Sequence, residues 1–73
     1  MKIITGRKYT DTGQPQVFDV INIVFNCQTG DRMDYTDPRT GYQGHVVVKN
    51  DLIYAPNLLA GDYYPTQYKL EEN

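Results

Sequence analysis

Helix-breaking residues recur so densely along this chain that they exclude a helical fold. Glycine stands at 6, 13, 30, 41, 44 and 61, and proline at 15, 38, 56 and 65. In a helix interior a glycine costs about 1 kcal/mol and a proline about 3 kcal/mol, so the segments between these residues are the natural structural units. None of them carries an amphipathic helical pattern of useful length. The one long gap, 16–29, is strand-like, because Gln16 to Cys27 is rich in Val, Ile and Phe, side chains that suit a pleated surface. Its odd face holds Val17, Asp19, Ile21, Ile23, Phe25 and Cys27, and its even face Phe18, Val20, Asn22, Val24 and Asn26. The nearly all-apolar odd face is predicted to meet the core, and the mixed even face to be partly buried.

The remaining segments read as strands and turns. Gln28-Thr29-Gly30-Asp31 is a hairpin connection, with glycine where positive φ is needed. Arg32 to Tyr35 alternates, with Met33 and Tyr35 on one face. Thr36 to Gly41 is a loop opened by Asp37-Pro38 and closed by Gly41. Tyr42 to Lys49 is a strand with Val46 and Val48 inward. Asn50-Asp51 is a tight turn, and Leu52 to Tyr54 a short extended piece. Ala55 to Gly61 has proline near its start and glycine at its end, which predicts a single 3₁₀ turn. Tyr63 to Leu70 is predicted as one final strand, and residues 71–73 as a solvated tail. The expected fold is all-β: one domain over 1–73, a small five-stranded antiparallel barrel with one 3₁₀ turn before the last strand.

The stretch Gly6-x-x-Tyr9, then Val17-Phe18-x-Val20, then Thr29-Gly30-Asp31-x-Met33-x-Tyr35 resembles small bacterial and phage domains of unknown function with SH3-like barrels. The resemblance spans roughly residues 6 to 59. It implies a β-barrel with a binding role, and it brings no catalytic residues.

A chain of 73 residues buries only about 60% of its unfolded surface, and small folds often add a disulfide, a metal or a partner. With one Cys and one His, an internal disulfide is impossible and a structural zinc site of the usual kind is not expected. No cofactor is expected. Edge strands of a small barrel must be covered, charged or paired. Lys2 and Lys49 are placed to guard two edges, and a homodimer is the other way to cover them. Three bases, Lys2, Arg7 and Lys8, lie in the first ten residues, whereas all nine acids lie beyond them. That balance disfavours a general nucleic-acid binder, which needs a basic stripe. Tyrosine set aside, no uninterrupted apolar run is longer than three residues, the length of Val46 to Val48, which is too short to span a bilayer. No signal-peptide pattern follows Met1, and lone Cys27 suits a reducing interior. The chain reads as a cytoplasmic protein that starts at its own Met1.

Few residues carry chemistry. Cys27 and His45 make a nucleophile pair only if they touch, and no spacing requires that. Cys27 reads as a small core hydrophobe and His45 as a rim residue. Asp31, Asp34 and Asp37 lack the ligand spacing of a cation loop; they read as an acidic patch able to steer a basic partner. The one compositional excess is tyrosine, seven residues, and tyrosine is enriched at interfaces. Tyr35 and Tyr42 flank the Asp37–Gly41 loop and, with Arg39, form the leading contact patch, bordered by Asp31, Asp34 and Asp37. The expected function is a non-enzymatic protein-binding module, in the manner of phage-encoded inhibitors or adaptors that occupy a partner's surface. The alternative is a nucleic-acid accessory barrel using Lys2, Arg7, Lys8 and stacking on Tyr9.

Overall fold

A computed structural model describes residues 1–27 and 30–72, the side chains of Asn26 and Cys27 excepted. Its strands are β1 (Lys2–Lys8), β2 (Pro15–Cys27), β3 (Gly30–Thr36), β4 (Gln43–Lys49), β5 (Leu52–Asn57), β6 (Asp62–Pro65) and β7 (Lys69–Glu71). All pair antiparallel in a single sheet of order β6-β5-β4-β3-β2-β1-β7. The sheet curls into a half-barrel, and its extents of 37 × 31 × 20 Å keep the thin dimension of one folded layer. No helix among the described residues is long and apolar enough to cross a membrane.

The core takes one buried apolar side chain from each of five strands: Ile3, Phe18, Met33, Val46 and Ile53. Register explains the set. Ile3 lies opposite Phe18, and Met33 lies between Ile23 and Val46. Met1, Val20, Ile23, Tyr35, Val48 and Tyr68 pack around them. Among these described core side chains, Ile3 and Val46 are completely enclosed. Each fully buried side chain of this size contributes about 1.5–3 kcal/mol, so the concave face holds a small core in which every member counts.

The structure corrects five expectations. The inward face of β2 is not the odd one throughout. Val20 pairs with Tyr35 and Asn22 with Asp34, two steps on β2 against one on β3. Such a bulge switches the side-chain parity. Phe18 and Val20 therefore face the core before it and Ile23 after it, while Ile21 is 55% exposed. Second, Ala55 to Gly61 is not a 3₁₀ turn: β5 continues to Asn57 and a hairpin leads into β6. Pro56 is tolerated because the β4 ladder ends at Tyr54, so it has a strand on one side only.

Third, the single final strand is two strands on opposite edges, which makes seven strands in place of five among the described residues. Tyr64 pairs with Ala55 in β5, whereas Leu70 pairs with Ile3 in β1. Thr66, Gln67 and Tyr68 carry the chain across the open side. Thr66 anchors this crossover by donating its N–H and its hydroxyl to the Ile53 carbonyl, at 2.9 and 2.7 Å. Tyr68 closes on the core, edge-to-face with Phe18 at 6.4 Å. Fourth, the edges are β6 and β7, so Lys2 in β1 and Lys49 in β4 guard neither. Strands of four and three residues blunt those edges by shortness alone. Fifth, Glu71 belongs to β7 and not to a tail. The expected Gln28-Thr29 turn lies outside the described residues.

Three hairpin loops share one construction. In each, a glycine N–H donates to the carbonyl four residues earlier: Gly13 to Tyr9 at 2.9 Å, Gly41 to Asp37 at 2.8 Å and Gly61 to Asn57 at 2.8 Å. The glycines have φ of 71°, 77° and 75°, the left-handed region in which a Cβ is penalised. Strand order puts all three loops at one end of the sheet. The β4–β5 connection at the other end is a two-residue turn, with Asn50 and Asp51 at φ 54° and 64°, as a primed hairpin turn demands.

Candidate functional site

Two of these loops, 9–14 and 37–42, are clasped together. Asp37 is 3% exposed, an unusual place for a carboxylate unless its oxygens are satisfied. The Tyr9 hydroxyl donates to its Oδ1 at 2.6 Å, and the Arg39 N–H donates to the same atom at 2.9 Å. The Tyr9 hydrogen bond leads the causes that hold the Asp37 carboxyl below its ordinary value, and the same bond raises the Tyr9 phenol. Arg39 lies over the Tyr9 ring, 4.7 Å from its centroid, close enough for cation–π attraction, and its guanidinium pairs with Asp11. That ion pair is the first cause of the lowered Asp11 carboxyl. Thr12 and Thr40 complete the likeness: each hydroxyl accepts the N–H two residues on, from Gln14 and Tyr42, at 3.2 Å.

The expected contact patch is thus divided. Arg39 is engaged by its own neighbours. Tyr35 faces inward, stacked on Phe18 with centroids 4.2 Å apart and planes 9° from parallel, and burial pushes its phenol up to about 12. Gly44 makes room for it: a Cβ there would stand 2.7 Å from the Tyr35 hydroxyl. Tyr42 is 57% exposed, tilted against Tyr35 at 6.4 Å. Of the leading trio, Tyr35 is turned inward, Arg39 is exposed but paired with its neighbours, and Tyr42 stands in solvent.

The other predicted residues scatter. Asp34 lies on the outer face, where Arg32 Nε donates to it at 2.9 Å and Asn22 Nδ2 at 3.3 Å. Those two bonds, Arg32 first, hold its carboxyl low. Asp31 is half-buried, paired in register with Val48. Among the described residues no three His, Cys, Asp or Glu side chains gather as metal ligands. His45 is half-buried on the outer face and shares a 3.0 Å hydrogen bond with the Tyr63 hydroxyl. The Cys27 side chain lies outside the described residues. Its backbone pairs with Gly30, whereas His45 pairs with Asp34, roughly 13 Å further along β3 at strand rise.

Lys2 and Lys8 stand at opposite ends of β1, roughly 20 Å apart. Lys2 is flanked in register by Asp19 and Glu71. Tyr9 offers one ring face to Arg39 and its hydroxyl to Asp37. Lys2 is thus set apart from Arg7, Lys8 and Tyr9, and the Tyr9 ring already has Arg39 on one face.

Sequence reasoning missed Leu58 and Leu59. They form the tip of the third loop, 83% and fully exposed. Asn57 fixes that tip: its Oδ1 accepts the N–H groups of Leu59 and Ala60, both at 3.2 Å. A signal was present. Asn57-x-x-x-Gly61 has the spacing of Asp37-x-x-x-Gly41, which marks a hairpin and not a helical turn. No protein family, curated protein or solved structure matches this chain, so the geometry alone carries the functional reading.

Proposed function

We propose that this chain is a small non-enzymatic protein-binding module that acts by occupying a partner's surface with the loop end of its sheet. Leu58 and Leu59 carry the reading. Two consecutive leucines stand in solvent on a hairpin whose backbone is already fixed by Asn57 and Gly61. A preordered apolar tip loses little conformational entropy when it enters a pocket, and buried anchors of this kind dominate interface energies. Tyr42, exposed on a neighbouring loop, supplies an amphipathic second contact. An SH3-like plan is supported by the run β7-β1-β2-β3-β4, in which the last strand lies beside the first.

The test is capture of a partner from a lysate of the source organism, repeated with Leu58→Ser/Leu59→Ser and with Tyr42→Ala. Loss of one and the same partner from a folded leucine variant is the expected result. Unchanged capture by both variants removes the loop end as the contact surface.

A further inference from the structure

A cleft of about 1070 Å³ runs beside β1. It exists because β7 covers β1 only from Lys2 to Ile4, while the chain before Lys69 turns off to reach β6. Its lining comes from Ile4–Arg7 of β1, from Tyr64–Lys69, which contains the crossover, and from Asp51 and Leu52. The volume lies at the upper limit of small-molecule sites, about 300–1,000 Å³, and the cleft is open along its length.

Its charge differs from that of the molecule. Arg7 and Lys69 line it, with Asp51 as the one acid of the lining, in a chain of net charge −2. Among the described residues, the side chains of Arg7 and Lys69 have no ion-pair or hydrogen-bond partner. The remaining arginines are committed: Arg32 to Asp34 and Arg39 to Asp11. Tyr64, 45% exposed, and half-buried Tyr68 line the same cleft.

We propose that this cleft binds an extended acidic peptide segment of a partner protein, its carboxylates on Arg7 and Lys69 and its apolar side chains on Tyr64, Tyr68 and Leu52. Charge-assisted hydrogen bonds from guanidinium and ammonium groups are the strong ones, and tyrosine takes both apolar and polar neighbours. Single-stranded nucleic acid fits less well. Its backbone needs a run of cations, and here two cations stand with Asp51 on the wall and Glu71 two residues beyond Lys69. The cleft shares no residue with the loop end, so either surface can fail without the other.

The experiment pans a random-peptide display library on the full chain, then measures the selected peptide by fluorescence anisotropy. Selected peptides are expected to be enriched in Asp and Glu. Arg7→Glu/Lys69→Glu is expected to weaken the best peptide at least about tenfold, the loss of one to two charge-assisted contacts. Leu58→Ser/Leu59→Ser leaves it unchanged. Both cations are exposed; should the reversal disturb folding by circular dichroism, Arg7→Gln/Lys69→Gln gives the same reading. Absence of acidic enrichment, or a peptide indifferent to the charge variants, overturns the proposal. So does an oligothymidylate that binds more tightly than the peptide and displaces it.

Discussion

The 37–42 and 57–62 loops are built alike and used in opposite ways. In each, the first residue's side-chain oxygen accepts the N–H two residues on, Arg39 for Asp37 and Leu59 for Asn57, and the glycine N–H closes back on the first carbonyl. The difference is in what surrounds the frame. Asp37 is buried and bonded to Tyr9, which ties its loop to a neighbour, while Asn57 holds up a tip whose two leucines stand in solvent. A shared backbone device thus serves to clasp in one case and to present in the other, and the choice rests on a few side chains.

The largest expected effect is from Asp37→Ala. It strips the Tyr9 hydroxyl and the Arg39 N–H of their acceptor and releases both clasped loops. Thermal unfolding should show a fall in Tm greater than for any other loop variant here, and amide exchange should accelerate through residues 9–14 and 37–42. Asp37→Asn keeps an acceptor oxygen and should fall between it and the native chain. A fall no larger than that of Asn57→Ala would show that the clasp adds nothing to the shared turn.

Next come Gly41→Ala and Gly61→Ala. A Cβ at either position meets nothing within 4 Å, so only the left-handed φ is penalised, at about 1–2 kcal/mol. About 1 kcal/mol corresponds to roughly 4–8 °C in Tm for a domain of this size. The two variants should lose nearly equal stability. A clear inequality would break the claim that the backbones are equivalent.

Acid separates the loops without mutation. The Asp37 carboxyl is depressed chiefly by the Tyr9 hydrogen bond, so its stabilisation is complete above the ordinary value of 3.8 and is lost as pH falls through the lower folded value. Asn57 does not titrate. In an NMR titration the Arg39 and Gly41 amides should move below that ordinary value, while Leu59 and Ala60 stay still. Movement of all four together would mean that the two loops are coupled.

The smallest effect on stability is expected from Leu58→Ser/Leu59→Ser, within about 0.5 kcal/mol per site, as for exposed positions generally. Chemical denaturation checks this. A larger loss would mean that the tip packs against the molecule and is not there to be presented.

Much of the fold was legible because it is local. The Asn50-Asp51 turn, the Asp37–Gly41 loop and the cores of β2, β3 and β4 follow from turn chemistry and alternation. The face of β2 was not legible, because Ile21 sits at a bulge that no glycine marks and both parities of that strand are apolar. Nor was the division between β6 and β7. Whether Tyr64 and Leu70 belong to one strand depends on two distant partners, Ala55 and Ile3, and local pattern cannot choose between them. For the site, the tyrosine excess pointed to Tyr42, but the same reasoning assigned Tyr35 to the surface. Its ring is needed over Gly44 and Phe18, a demand that appears only when β2, β3 and β4 lie side by side.

The crossover at Thr66–Tyr68 has a consequence for how the chain is made. β1 precedes the other six described strands in the chain, and its outer neighbour β7 follows them. Until β7 has been made, Ile3 and its open edge wait for Leu70, while the hairpins between them form locally and early. An unpaired apolar edge is a template for the wrong strand. Chain order therefore leaves the outer edge of β1 open to a wrong partner for longer than any hairpin edge, and β7 is the strand that closes it.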